Sequence, residues 1–319
     1  MTPPRDSDRR PQDPSARAAR PADPSAHAAR PADPAPRDAQ PGDAPQNDTD
    51  GVKVYGVAAC RALWRARPED VIRAYVLEAQ VPQFTDLLKA FAQRRRPYHV
   101  VADDDLRRLT DTVHHGGVCL LAKPKRPQTL DSLLHALQSQ PTASLVYLDG
   151  VENPHNVGAI LRTCAHFGAR AVLVDARLMS SVPPSAARVA VGGAEAVSLV
   201  PVEDPVAALQ RLSEVGFKVL TADMREGEDL FRAKLPKRAL FLLGAETTGV
   251  SEALRAAAAG ALSISGTGKV ESLNVSCAAS VLLAEFWRQH LPRPKPAPSA
   301  QPARPFKPRP QPSRRPPKP

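Results

Sequence analysis

Three short runs hold side chains whose types and spacing suit chemistry: Asn156-Val-Gly-Ala-Ile-Leu-Arg162, Leu243-Gly-Ala-Glu-Thr-Thr-Gly249 and Glu271-Ser-Leu-Asn-Val-Ser-Cys277. Arg162 is a permanent cation whose guanidinium fork matches phosphate oxygens with two parallel hydrogen bonds. With a pKa above about 12 it is a poor proton acceptor, so it suits orienting a phosphate or hydroxyl rather than acting as a base. Gly244 and Gly249 bracket Glu246 where the backbone has to turn tightly or let a ligand approach. Each run also has a purely structural account. Asn156, following Asn153-Pro-His, is a natural N-cap, and Arg162, about 120° around the same helix, could be solvated or pair with the helix dipole. Glu246 could be a surface carboxylate ahead of a cap at Ser251, and either Ser272 or Asn274 could cap the last helix.

The elements that must position these runs alternate between helical and strand periodicity. The pattern predicts helices over 57–66, 84–93 and 104–109 and strands over 71–77, 98–102 and 118–122, one small α/β unit. Lys123-Pro-Lys-Arg-Pro127 breaks it with two prolines and three cations, marking a linker over 124–143 that a helix over 129–138 bridges. Strands are then expected over 144–148, 171–174, 196–200, 217–221, 239–243 and 261–264. Helices are expected over 156–167, 204–215, 251–258 and 275–290. Apolar strand runs between helices indicate an α/β fold with a mostly parallel sheet and helices on both faces. Ligands of such sheets collect beyond the carboxyl ends of the strands, where all three runs fall.

In this order, each beside a predicted strand, the runs resemble the three motifs of the SpoU/TrmH family of S-adenosylmethionine-dependent RNA ribose methyltransferases, over residues 145–290. The resemblance implies a trefoil-knotted catalytic domain over 144–291, a homodimer, and ribosomal or transfer RNA as substrate. It further implies that Arg162 positions the reacting ribose hydroxyl and its phosphate, and that Asn156, Glu246, Ser272 and Asn274 shape the site. Backbone around Gly244, Ile264 and Leu273 would hold S-adenosyl-L-methionine, the adenine lying in an apolar slot. Residues 51–123, opening on Val52-Lys-Val-Tyr-Gly-Val57, would be the RNA-recruiting domain, and His114-His-Gly-Gly117 resembles a structural signature that closes it in many members. Many members carry Pro where this chain has Ser265, and the layout resembles a bacterial subgroup without an assigned substrate. The other readings are a non-catalytic RNA-binding or assembly factor that keeps the fold, and methylation of a base rather than a ribose.

Composition bounds the rest. Residues 1–50 hold 11 Pro, 9 Asp and 7 Arg in a ten-residue repeat, and residues 292–319 hold 12 Pro and 8 Lys or Arg with no acid. Neither end has the apolar side chains to offset backbone ordering at roughly 1–2 kcal/mol per residue, so both are expected to be disordered. The C-terminal tail carries +8 of the net +10 and residues 51–291 only +4, so the tail supplies most of the field that attracts a polyanion. Four isolated cysteines, Cys60, Cys119, Cys164 and Cys277, fit neither a zinc ribbon nor a disulfide framework. No metal site is expected at His114, His115 and Cys119. No long apolar run suggests a membrane span, and a cytoplasmic protein is expected. Ser263-Ile-Ser-Gly-Thr-Gly-Lys-Val270 lacks the first Gly and last Ser or Thr of a phosphate loop.

Overall fold

The computed structural model describes residues 51–223 and 227–290; the two proline-rich ends, and the disorder expected of them, lie outside that range. The first unit contains β1 (Val52–Tyr55), α1 (Val57–Ala66), β2 (Val71–Val76), α2 (Thr85–Gln93), β3 (Tyr98–Val100), α3 (Asp103–Thr110) and β4 (Val118–Ala122). The sheet order is β1-β4-β2-β3, with β4 antiparallel to both neighbours and β3 parallel to β2. All five residues of β4 are buried because both of its faces are covered. Val118 and Leu120 meet Leu63 of α1 and Leu87 and Phe91 of α2, while Cys119 meets Leu106 of α3. The strand at Val52–Tyr55 goes beyond the expected elements. Strand β3 is shorter than the expected 98–102, because Val101 N–H is the last to reach β2 and Ala102 stands at the N-cap of α3.

The second unit runs α4 (Leu130–Leu137), β5 (Ala143–Asp149), α5 (Pro154–Phe167), β6 (Ala171–Asp175), α6 (Pro184–Val189), α7 (Gly193–Ala196) and β7 (Ser198–Val202). It continues through α8 (Pro205–Glu214), β8 (Lys218–Ala222), β9 (Glu228–Asp229), β10 (Arg238–Gly244), α9 (Glu252–Ala256), β11 (Gly260–Ser263) and α10 (Val275–His290). Its seven strands, in the order β7-β6-β5-β10-β8-β11-β9, are paired in parallel throughout. Leu145 and Tyr147 of β5, with Leu240 and Leu242 of β10, face α4, α8 and α9. Val146, Leu148, Phe241 and Leu243 face α5 and α10. Each such side chain removed from water contributes about 1.5–3 kcal/mol, which is why these strands read as unbroken apolar runs. The strand expected over 196–200 is displaced to Ser198–Val202, because Gly192 at φ 94° starts α7 and keeps Ala196 helical.

Two close approaches fix α5. A Cβ on Gly158 would lie 2.5 Å from the Ala186 carbonyl oxygen and 2.6 Å from Val189 Cβ, so α6 packs directly on the α5 backbone. One on Gly193 would lie 2.7 Å from the Leu161 oxygen and 2.9 Å from Arg162 Cα. On its other side the α6–α7 segment meets the first unit. Arg67, just past α1, forks onto Glu195, Nε to Oε2 at 2.9 Å and Nη2 to Oε1 at 3.0 Å. Lys125 Nζ donates to the carbonyls of Ala194, Glu195 and Val197 at 2.7, 2.9 and 3.1 Å. Burial pulls that ammonium below the usual lysine range, and the three carbonyls supply the partners a buried cation needs.

Two outcomes follow from this packing. Gly158→Ala gains up to about 1 kcal/mol of helix propensity. It also forces a methyl against a backbone carbonyl that cannot rotate away, at about 1–3 kcal/mol. We therefore expect a net loss of stability, read as a lower urea midpoint with an unchanged slope. Burial pushes the thiols of Cys119 and Cys164 up to about 12 and that of Cys60 well above its usual value, whereas Cys277 is exposed. Native protein should release one equivalent of thionitrobenzoate quickly from Ellman's reagent, and four only after denaturation; fast reaction of two or more thiols would contradict the packing described.

Candidate active site

The carboxyl ends of β5 and β10 lie side by side in the middle of the parallel sheet, in register from Arg238 opposite Ala143 to Gly244 opposite Asp149. After β5 the chain turns through Gly150 at φ 68°, and Asn153 caps α5 by accepting from His155 N at 2.9 Å, with Pro154 in the first helical position. The cap is therefore Asn153 and not Asn156. Proline has no N–H to satisfy and a φ already set for the helix, so it starts α5 two residues earlier than expected. This releases the Asn156 side chain, buried in the first turn, for other partners.

Those partners come from the other two runs. Asn156 Nδ2 donates to Glu246 Oε1 at 3.1 Å. Asn274 Nδ2 donates to Asn156 Oδ1 at 3.0 Å and to Glu246 Oε1 at 2.7 Å. The remaining oxygen of Asn274 accepts from Ser276 N at 2.9 Å and from Ser276 Oγ at 2.6 Å, which caps α10. Asn274, rather than Ser272, is thus the cap. One carboxylate and two amides form a closed triangle between segments 90 and 118 residues apart. Glu246 sits beside the N-terminal turns of α5 and α10, where helix dipoles favour an anion. Its Oε2 has no hydrogen bond among the described residues.

Gly244 is sterically required. A Cβ there would fall 2.1 Å from Gly249 C and 2.2 Å from Val250 N, because the turn doubles back and closes with Gly249 N on Ala245 O at 2.8 Å. Asp149 Oδ2 accepts from Ser251 N at 2.7 Å, tying the end of β5 to the start of α9. Ser251 holds the cap position, but its hydroxyl makes no cap bond. Ile264, just past β11, is buried in the core, whereas Leu273 is 39 % exposed. Between them residues 265–273 are exposed, and the backbone of 266–273 makes no hydrogen bond among the described residues. Ser265 is pinned by its hydroxyl to Asp229, and that hydrogen bond holds the Asp229 carboxyl below its usual range.

Arg162 and Ser272 stand outside the triangle. Arg162 lies about 1.7 turns along α5 from Asn156, about 9 Å along the axis. It is exposed, has no ion pair among the described residues, and borders a cleft of about 500 Å³ with His166, Val191 and Gly193. Val191 adopts φ 51°, a conformation that costs a β-branched residue of order 1–3 kcal/mol and concentrates at functional sites. Ser272 is exposed and makes no hydrogen bond among the described residues. Sequence reasoning misses the contributions of Asp149, Gly158, Gly193 and Val191; only the Asn-Pro pair at 153–154 carries a local signal, one that corrects the helix start. His115 packs in a corner of the first unit, its Nδ1 accepting from Gly117 N at 3.1 Å and its carbonyl from Gly56 N at 3.0 Å.

Comparison with known proteins agrees with this architecture. Residues 143–284 match the SpoU rRNA Methylase family, and residues 53–128 match the RNA 2′-O ribose methyltransferase substrate binding family. The chain is 38 % identical over 239 residues to the uncharacterized tRNA/rRNA methyltransferase YfiF of Escherichia coli O157:H7, covering 75 % of this chain and 68 % of that one. It is 31 % identical over 242 residues to the 23S rRNA (guanosine-2′-O-)-methyltransferase RlmB of Vibrio vulnificus, covering 75 % and 97 %. Among solved structures, the SpoU methyltransferase AviRb of Streptomyces viridochromogenes, in complex with AdoMet, superposes with a TM-score of 0.62 at 21 % identity, covering 76 % and 91 %. With the three runs joined at the carboxyl edge of one parallel sheet and both units matched in order, the chain belongs to the SpoU family of RNA methyltransferases.

Proposed function

We propose that this protein transfers a methyl group from S-adenosyl-L-methionine to a ribose 2′-hydroxyl of ribosomal or transfer RNA. The observation that carries the reading is the Asn156–Glu246–Asn274 triangle, which joins all three motif segments where ligands of parallel sheets bind. The residues present suit the cofactor. The unpaired backbone of 266–273 offers donors and acceptors to a purine edge, and exposed Leu273 with the rim of Ile264 offers apolar cover. Gly244 lets the main chain come close, and the triangle holds the loop in shape.

S-adenosyl-L-methionine, held by the backbone around Gly244, Ile264 and Leu273, would supply an electrophilic methyl carbon for a ribose oxygen. Arg162 positions the nucleotide through its phosphate and does not take the proton. Placing the oxygen behind the methyl carbon is an effect that supplies roughly 7–11 kcal/mol in well-oriented reactions. Asn156, Glu246 and Asn274 maintain the loop geometry, and Ser272 lines its approach. We read the catalytic unit as trefoil-knotted and the working form as a cytoplasmic homodimer, in which exposed Val191 provides apolar contact surface.

Incubation of the protein with tritiated S-adenosylmethionine and total RNA from a strain lacking its gene should label one ribose. Arg162→Ala should abolish that label while leaving the thermal midpoint within about 1 °C, since surface changes rarely exceed 0.5 kcal/mol. Near-normal transfer by the variant would remove Arg162 from the site, and cofactor binding without any transfer would favour a non-catalytic RNA-binding factor. Removing residues 292–319 should lower RNA affinity and flatten its salt dependence, by about 0.7 in the log–log slope for each single-strand phosphate that the tail had neutralised. An unchanged slope would show that the tail does not touch RNA.

A further inference from the structure

The first unit carries a separate polar cavity of about 230 Å³. It is lined by Arg61, Trp64 and Arg65 from α1, by Gln83 and Phe84 just before α2, and by Asp86 in the first turn of α2. Phe84 is buried beneath it. The Arg61 guanidinium lies over the Phe84 ring at 5.8 Å and donates to the Gln83 carbonyl at 3.2 Å, so its plane is held from two sides. The Trp64 ring leans on Phe91, centroids 5.9 Å apart at 58°, and remains half-buried at the cavity. Two flat groups, each with its own partner in the fold, therefore border the cavity.

Arg65 and Asp86 are exposed, line the same cavity and carry opposite charges, yet they form no ion pair among the described residues. Something fitting between them would meet a cationic fork on one side and a carboxylate on the other. The cavity is smaller than the roughly 300–1,000 Å³ that drug-sized ligands occupy, which suits a single ring system. Proteins read single-stranded RNA by stacking splayed bases on aromatic side chains or arginine planes and hydrogen-bonding their edges. Guanine matches the two charges best. Its N1–H and N2–H are adjacent donors for one carboxylate, and its O6 and N7 are adjacent acceptors for one guanidinium.

We infer that this cavity binds one unpaired guanine of the RNA substrate, at a position other than the methylated nucleotide. The inference rests on the RNA methyltransferase reading only for the identity of the polymer. Helix α1 leads directly into Arg67, which grips Glu195, so the bound guanine would be held at a set distance from α5 and Arg162.

The chain has two tryptophans, Trp64 and Trp287, so the full-length Trp287→Phe protein reports on this cavity alone. Five-nucleotide oligouridylates with a single central G, A or C would be titrated against Trp64 fluorescence. We expect saturable quenching by the G oligomer, about tenfold tighter than by the others, and about tenfold weakened by Arg65→Ala or Asp86→Ala. S-adenosylmethionine binding, measured by calorimetry, should stay unchanged in both variants. Absent quenching, equal quenching by all bases, or quenching untouched by both substitutions would overturn the proposal. Guanine-dependent quenching without methyl transfer to any RNA would support the cavity and count against the enzymatic reading instead, so the two can fail separately.

Discussion

At Gly158 the space a side chain would fill is taken by the Ala186 carbonyl and the Val189 side chain, and at Gly193 the same is true of the α5 backbone beside Arg162. Helix α5 is therefore clamped by close main-chain approach at these glycines as well as by the buried side chains on its core face. Close-packed interiors have few voids and low compressibility, so a helix seated against backbone this closely has little room to shift. That position matters because α5 carries both Asn156 and Arg162 and passes over the centre of the sheet. The polar triangle at one end and the cleft at the other are both referenced to it.

The triangle has a different physical character from the core beneath it. Hydrophobic burial under α5 and α10 is large and non-directional and would tolerate small rotations. The hydrogen bonds of Asn156, Glu246 and Asn274 are few and directional, and each amide uses both its donor and its acceptor sides. Their net contribution to stability is of order 1 kcal/mol apiece, but they specify one register among three segments remote in sequence. The core thus holds the elements together, and the triangle decides how their ends meet.

Much of this is legible in the sequence. Strands β5, β6 and β10 stand out because burial on both faces turns them into apolar runs, and α5, α8 and α10 because their apolar residues recur at helical spacing. The order of the three motif segments points to the site because parallel sheets gather ligands at one edge. What is not legible depends on contacts across the chain. Asn156 resembles a cap because its sequence surroundings are those of a helix start, yet its partners lie 90 and 118 residues away. The segment holding α6 and α7 has too few residues per helix to show periodicity, and its role comes from Gly192 and Gly193 fitting against other groups. The start of β7 is displaced for the same reason, since nothing in 193–197 says whether Ala and Val continue a short helix or begin a strand.

The fork of Arg67 on Glu195, with Lys125 seated on three carbonyls of the α7 end, joins the two units through partly buried charge rather than through a flexible tether. A shift that moved one partner while the other stayed packed would leave a partly desolvated charge without its counter-charge, which opposes sliding at this joint. If the proposed guanine cavity and the proposed methyl-transfer site engage one RNA, this joint sets the distance between them, and selectivity would reside in the folded length of the RNA between two points as much as in the identity of any base.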